Sequence, residues 1–152
     1  SPDIRSLASE AISNAGDRIT VPILLKALSD NNSGEVNQAI ASALCKIVTP
    51  KQENISLLVN VLVDNELNIY QYMPDLLKQI GESAIMPLIN KLAYTEKYTD
   101  TYYRVGKTIK QFGESAIPIL EHNLSNQDWR VREAAISMYY ELKLAIPRGG
   151  DK

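Results

Sequence analysis

Reactive and metal-binding side chains are scarce in this sequence. Cys45 is its single cysteine and His122 its single histidine, with one tryptophan and one phenylalanine besides. One cysteine excludes an internal disulfide and fits a reducing compartment. One histidine excludes a two-histidine metal site, and no Cys/His spacing suggests zinc. There is no glycine-rich phosphate loop, no HExxH and no GxSxG. His122 reads as a surface histidine, and Cys45 has Lys46 as its only adjacent cation, too little to activate a thiol. The carboxylates are scattered rather than paired. These absences favour a non-catalytic protein with no cofactor and no metal.

Charge and hydropathy narrow the class further. Sixteen basic against eighteen acidic residues give a net charge of −2, so no global field favours nucleic acid or acidic lipid. Apolar residues at 45% and charged residues at 22% are soluble, ordered composition. No apolar run approaches the roughly 18 residues that would span a bilayer, and the start, SPDIRSLASE, has no signal-peptide pattern. The expectation is a cytoplasmic protein.

What is present is repetition. Residues 81–92, GESAIMPLINKL, return 32 residues later as residues 113–124, GESAIPILEHNL, with five consecutive identities and the final leucine in register. A fainter copy, GDRITVPILLKAL, begins at Gly16, 65 residues before Gly81. Self-similarity at this period marks a repeat array. Apolar spacing predicts a long helix over 1–15, then four short–long pairs: 18–28 with 34–48, 52–63 with 67–80, 82–93 with 99–112, and 115–124 with 129–142. Gly16, Gly81 and Gly113 close helices, and Ser33 and Asp128 cap them. Pro22 is expected in a first helical turn. Residues 1–146 form one domain on this reading, with 147–152 as a loose tail.

Superposing the long helices aligns Ile4, Val36, Ile69, Thr101 and Val131, then Ala8, Ile40, Met73, Val105 and Ala135, then Ala11, Ala43, Leu76, Thr108 and Met138. These small and medium columns suit helices stacked closely side by side. The predicted fold is all-α: an α-solenoid, or α-α superhelix, of helical hairpins.

Pro2-Asp3-Ile4-Arg5 before Ala8 and Ala11-Ile12, and Asp128-Trp129-Arg130-Val131-Arg132 before Ala135, resemble the second-helix signature of HEAT-like repeats, of the short kind first noted in phycobilisome lyases. The Gly-Glu-Ser-Ala-Ile stretches resemble the matching first helix. The resemblance covers nearly the whole chain and implies a fold rather than an activity. It also implies an arginine–aspartate ladder between repeats, kept at Arg5 and Arg132 but replaced by Asn37, Tyr70 and Tyr102. In such arrays the second helices line a concave side. Some relatives are DNA glycosylases, but no arrangement of Trp, Asp and Arg here copies one.

Counting outward from the inner columns gives Ser6, Gln38, Gln71, Tyr103 and Glu133, then Glu10, Ser42, Asp75, Lys107 and Ser137, then Ser13, Cys45, Lys78, Lys110 and Tyr140. All eight tyrosines follow residue 69. Tyrosine offers large area with a polar end, as binding surfaces use. The predicted contact surface is Tyr70, Gln71, Tyr102, Tyr103, Lys107 and Lys110, taking a protein or peptide partner. The bland alternative is that the rings pack against their own repeats. Lys78, Arg104, Lys107 and Lys110 beside tyrosine suggest a nucleic-acid strip, but neighbouring carboxylates make a solvated face the better reading. The resemblance supplies one further alternative: a lyase or chaperone-like subunit acting on a chromophore-bearing protein.

Three features remain. Pro74 is predicted inside the helix 67–80, where it would orphan the Tyr70 carbonyl at about 3 kcal/mol, with Gly106 weakening the next long helix at a similar height. Trp129 is expected to pack against a neighbour. The leading helix lacks a partner over Ile4, Leu7 and Ile12, which suggests a longer array or end-to-end self-association.

Overall fold

The computed structural model describes residues 17–30, 33–65 and 69–145. Among them are eight α-helices and no strand. The chain divides between Ile80 and Gly81 into two compact units. The leading helix with its inner-column residues, Gly16, Arg5 and the 147–152 tail lie outside the described residues.

The first unit holds α1 (Asp17–Ser29), α2 (Gly34–Ile47), α3 (Gln52–Leu62) and α4 (Met73–Ile80). Helix α1 packs on α2 and α3, α2 on α4, and α3 on α4. Leucines and valines at helical spacing make the core: Val21, Leu24 and Leu28 from α1, Ile40 and Leu44 from α2, and Leu58 and Leu62 from α3. The hydroxyl of Ser33 caps α2 by accepting the Val36 N–H at 3.4 Å. Asn54 is buried in the first turn of α3, where its amide donates to the Thr49 carbonyl at 3.2 Å. A buried amide without that acceptor would be costly.

Two proline expectations change. Helix α1 begins at Asp17, so Pro22 lies inside it rather than in its first turn. The helix expected over 67–80 also starts later. Ile69, at φ −118° and ψ 9°, is not helical, and Tyr70–Tyr72 form a 3-10 turn that leads into α4 at Met73. Pro74 is therefore the second residue of α4, where a missing N–H orphans nothing. The Tyr70 carbonyl accepts the Met73 N–H instead.

The second unit holds α5 (Ile85–Ala93), α6 (Asp100–Lys110), α7 (Ile117–Asn123) and α8 (Trp129–Ala145). Helix α8 packs against all three others, and α5 also packs on α6. Each GESA stretch carries its glycine at positive φ, 97° at Gly81 and 57° at Gly113; the 3-10 turn that opens α5 follows Gly81, and the one that opens α7 begins at Gly113 itself. A side chain at either glycine would be strained. Ile85, Leu88, Ile89, Val105, Ile109, Leu120, Ala135 and Met138 form the core. Gly106 is buried against α8, where an added Cβ would lie 3.4 Å from the Met138 methyl carbon.

Candidate functional site

The turn from α7 into α8 is organised by side-chain amides. Buried Asn123 donates to the Ile119 carbonyl at 2.7 Å, and the Asn126 amide donates to the Asn123 oxygen at 2.9 Å. The Asn126 side-chain oxygen accepts the Asp128 N–H at 2.8 Å, which orients Asp128 as the cap of α8. One Asp128 oxygen accepts the Arg130 N–H at 3.0 Å, and the other accepts the Tyr94 hydroxyl from the end of α5. Arg132 donates to the Asn126 carbonyl at 2.8 Å, so this arginine is engaged within its own turn.

The shared proton explains opposite pKa shifts. The bond to Asp128 raises the Tyr94 hydroxyl, and the same bond lowers the Asp128 carboxyl. A neutral phenol donating to an ionised carboxylate is the favoured pair. The Arg130 guanidinium lies 4.7 Å from the centre of the Trp129 ring and 5.5 Å from that of Tyr94, within cation–π range of both.

Beside this junction is a cleft of about 120 Å³, lined by Leu92 and Ala93 of α5, Lys97 of the α5–α6 loop, Tyr102 of α6, and Trp129, Arg130, Glu133, Ala134 and Ser137 of α8. Lys97 pairs with Glu133 at 3.1 Å, and this contact chiefly raises the Lys97 ammonium. Burial raises the Tyr102 hydroxyl, which is half-buried. Its N–H reaches the hydroxyl of Thr99, the α6 cap, at 3.2 Å. The Tyr102 and Tyr103 rings meet edge to face, 5.7 Å apart and 83° between planes.

Aromatic exposure concentrates around the cleft. Trp129 is 54% exposed, Tyr103 58%, Tyr94 62% and Tyr98 81%. The expectation that Trp129 packs away is therefore wrong. It precedes inward-facing Val131 by two positions, about 200° round the helix, and so points outward.

Of the predicted contact residues, only Tyr102 lines the cleft. Tyr103 adjoins it through the ring contact, and Lys107 is exposed one turn further along α6. Lys110 is exposed and paired with Glu141 at 2.9 Å. Half-buried Tyr70 and exposed Gln71 belong to the 3-10 turn of the first unit. Trp129, Arg130, Lys97, Tyr94 and Tyr98 are not among the predicted contact residues. The signal for Trp129 and Arg130 is the Asp128 cap, which sets the helical phase of the residues after it. Tyr94, Lys97 and Tyr98 come from a loop, where no periodicity reports direction.

His122 is exposed on α7. Half-buried Cys45 has its thiol pKa raised by burial and then by the charge of Asp75. Among the described residues no group of three or more potential ligands could hold a metal ion, and no helix is long and apolar enough to cross a membrane. No family model matches the chain, and no curated protein or solved structure matches it either.

Proposed function

We propose that this chain is a HEAT-like α-solenoid that works as a binding scaffold, taking a protein or peptide segment at the cleft of its second unit. The observation that carries the reading is the gathering of exposed aromatics, Trp129, Tyr103, Tyr94 and Tyr98, around a cleft that Tyr102 and Trp129 line. Rigid aromatic side chains among polar groups are typical anchors of protein contacts. The architectural half of the proposal draws on the inner columns. Ile40, Met73, Val105 and Ala135 are all buried at equivalent positions of α2, α4, α6 and α8.

The cleft's charges pair locally: Lys97 with Glu133, and Arg130 beside Asp128. A neutral, apolar side chain of the partner fits such a cleft better than a phosphate or a free cation. Lys110 is likewise paired, which weakens the case for a nucleic-acid strip on α6. The test is selection from a displayed peptide library on the wild-type protein, followed by titration of the selected peptides on Trp129→Ala and Tyr102→Ala variants. Binding should weaken by roughly thirtyfold or more, the scale of an aromatic hot spot. Peptides that bind both variants as tightly as wild type would place recognition elsewhere.

A further inference from the structure

Among the described residues, Tyr98 is the one residue other than glycine at positive φ, at 67°. A bulky side chain is strained there, and the other two such positions, Gly81 and Gly113, avoid the strain by using glycine. Packing of the side chain could offset the strain, but Tyr98 is the most exposed of the large hydrophobic residues described, at 81%. Nothing in the stability of the unit therefore accounts for a tyrosine at this position.

The surrounding loop holds Tyr98 in place. On one side the Thr95 hydroxyl donates to the Lys91 carbonyl at 2.6 Å. On the other the Thr99 hydroxyl donates to the Glu96 carbonyl at 2.7 Å, and Thr99 also caps α6. Between them Lys97 pairs with Glu133 at 3.1 Å, which ties the loop to the α8 wall of the cleft. A strained residue persists where its surroundings fix it in this way, and such residues gather at ligand clamps. The location of Tyr98 fits a clamp. Lys97 before it and Tyr102 one turn beyond both line the cleft. The Tyr98 hydroxyl acts on the ionisation of both, behind the larger effects of Glu133 on Lys97 and of burial on Tyr102. A backbone already fixed need not be ordered when a partner arrives, so binding loses less entropy.

We propose that Tyr98 is a preorganised binding residue, held in strain at the mouth of the cleft so that its ring covers the neutral side chain that the partner segment inserts beside Tyr102 and Trp129. This role rests on the scaffold reading. It adds that Tyr98 lowers the stability of the second unit while raising its affinity.

Two variants separate these effects. Tyr98→Gly removes both the ring and the strain, whereas Tyr98→Ala removes the ring alone, since alanine at positive φ is strained too. In thermal unfolding followed by circular dichroism, Tyr98→Gly should melt a few degrees above the wild type and Tyr98→Ala no higher than it. Peptides selected on the wild type from the displayed library should bind both variants at least about fivefold more weakly, the scale of a contributing interface side chain. A Tyr98→Gly variant that melts below the wild type would mean that the ring stabilises the fold, and overturns the proposal. Peptides weakened by Trp129→Ala and Tyr102→Ala but indifferent to both Tyr98 variants would overturn the role of Tyr98 and leave the scaffold reading standing. Peptides indifferent to all four variants would remove the cleft as the binding site, and the role of Tyr98 with it.

Discussion

Tyr94 and Asp128 are 34 residues apart in sequence, yet the phenol of one donates to the carboxylate of the other. Asp128 also caps α8 through the Arg130 N–H, so a single side chain fixes the start of one helix and the exit of another. Because the folded Asp128 pKa is depressed, its contribution is present above the ordinary aspartate pKa of about 3.9 and is lost as pH falls through the lower folded value. Because the folded Tyr94 pKa is raised, its contribution is present below about 10 and is lost as pH rises through the higher folded value. Denaturant midpoints should therefore form a plateau that falls at both ends. Tyr94→Phe should lower the plateau and flatten the alkaline fall. Asp128→Ala should lower it further, since the cap is lost too. Equal midpoints for wild type and Tyr94→Phe across the range would show that the bond contributes nothing.

A Cβ added at Gly106 would meet the flexible end of Met138 at 3.4 Å, ordinary van der Waals distance. Alanine there gains helix propensity of about 1 kcal/mol relative to glycine and needs little movement of the thioether. Gly106→Ala should raise stability by up to that amount, while Gly106→Leu should destabilise by about 1–3 kcal/mol through overpacking. Urea unfolding of both variants checks the pair; a destabilising alanine would mean that α6 and α8 cannot part by even a methyl group.

Pro74 yields an outcome opposite to its sequence reading. Inside a helix its removal would be strongly stabilising, but in the first turn of α4 it orphans no carbonyl and stiffens the unfolded chain. Pro74→Ala should lower stability by about 0.4–1 kcal/mol. A gain near 3 kcal/mol would restore the kinked-helix reading.

The contrast shows where the sequence was legible. The inner positions Ile40, Met73, Val105 and Ala135 are buried, and the outward positions Gln38, Gln71, Tyr103 and Glu133 are exposed, because helical periodicity alone fixes both. Gly81 and Gly113 take positive φ, as expected of glycine after a helix. The break at Ile69 was not legible, since its apolar side chain keeps the helical phase while its backbone leaves it. The cleft was harder still. It joins the end of α5, a loop lysine and the first turns of α8, groups that only the packing of the second unit brings together. The average burial of tryptophan turns Trp129 inward, whereas its angle from Val131 already points it to solvent.

The lone cysteine gives a final test. Burial is the larger cause of its raised pKa and the Asp75 carboxylate the smaller, both disfavouring the thiolate. Cys45 should react with iodoacetamide near pH 8 more slowly in the folded protein than in the unfolded chain, since only the thiolate attacks. Asp75→Asn removes the smaller cause, so alkylation should quicken, but by less than unfolding quickens it. The remaining deficit would then belong to burial, which denaturant should abolish. A folded protein that alkylates faster than the unfolded chain would instead mark Cys45 as an activated thiol.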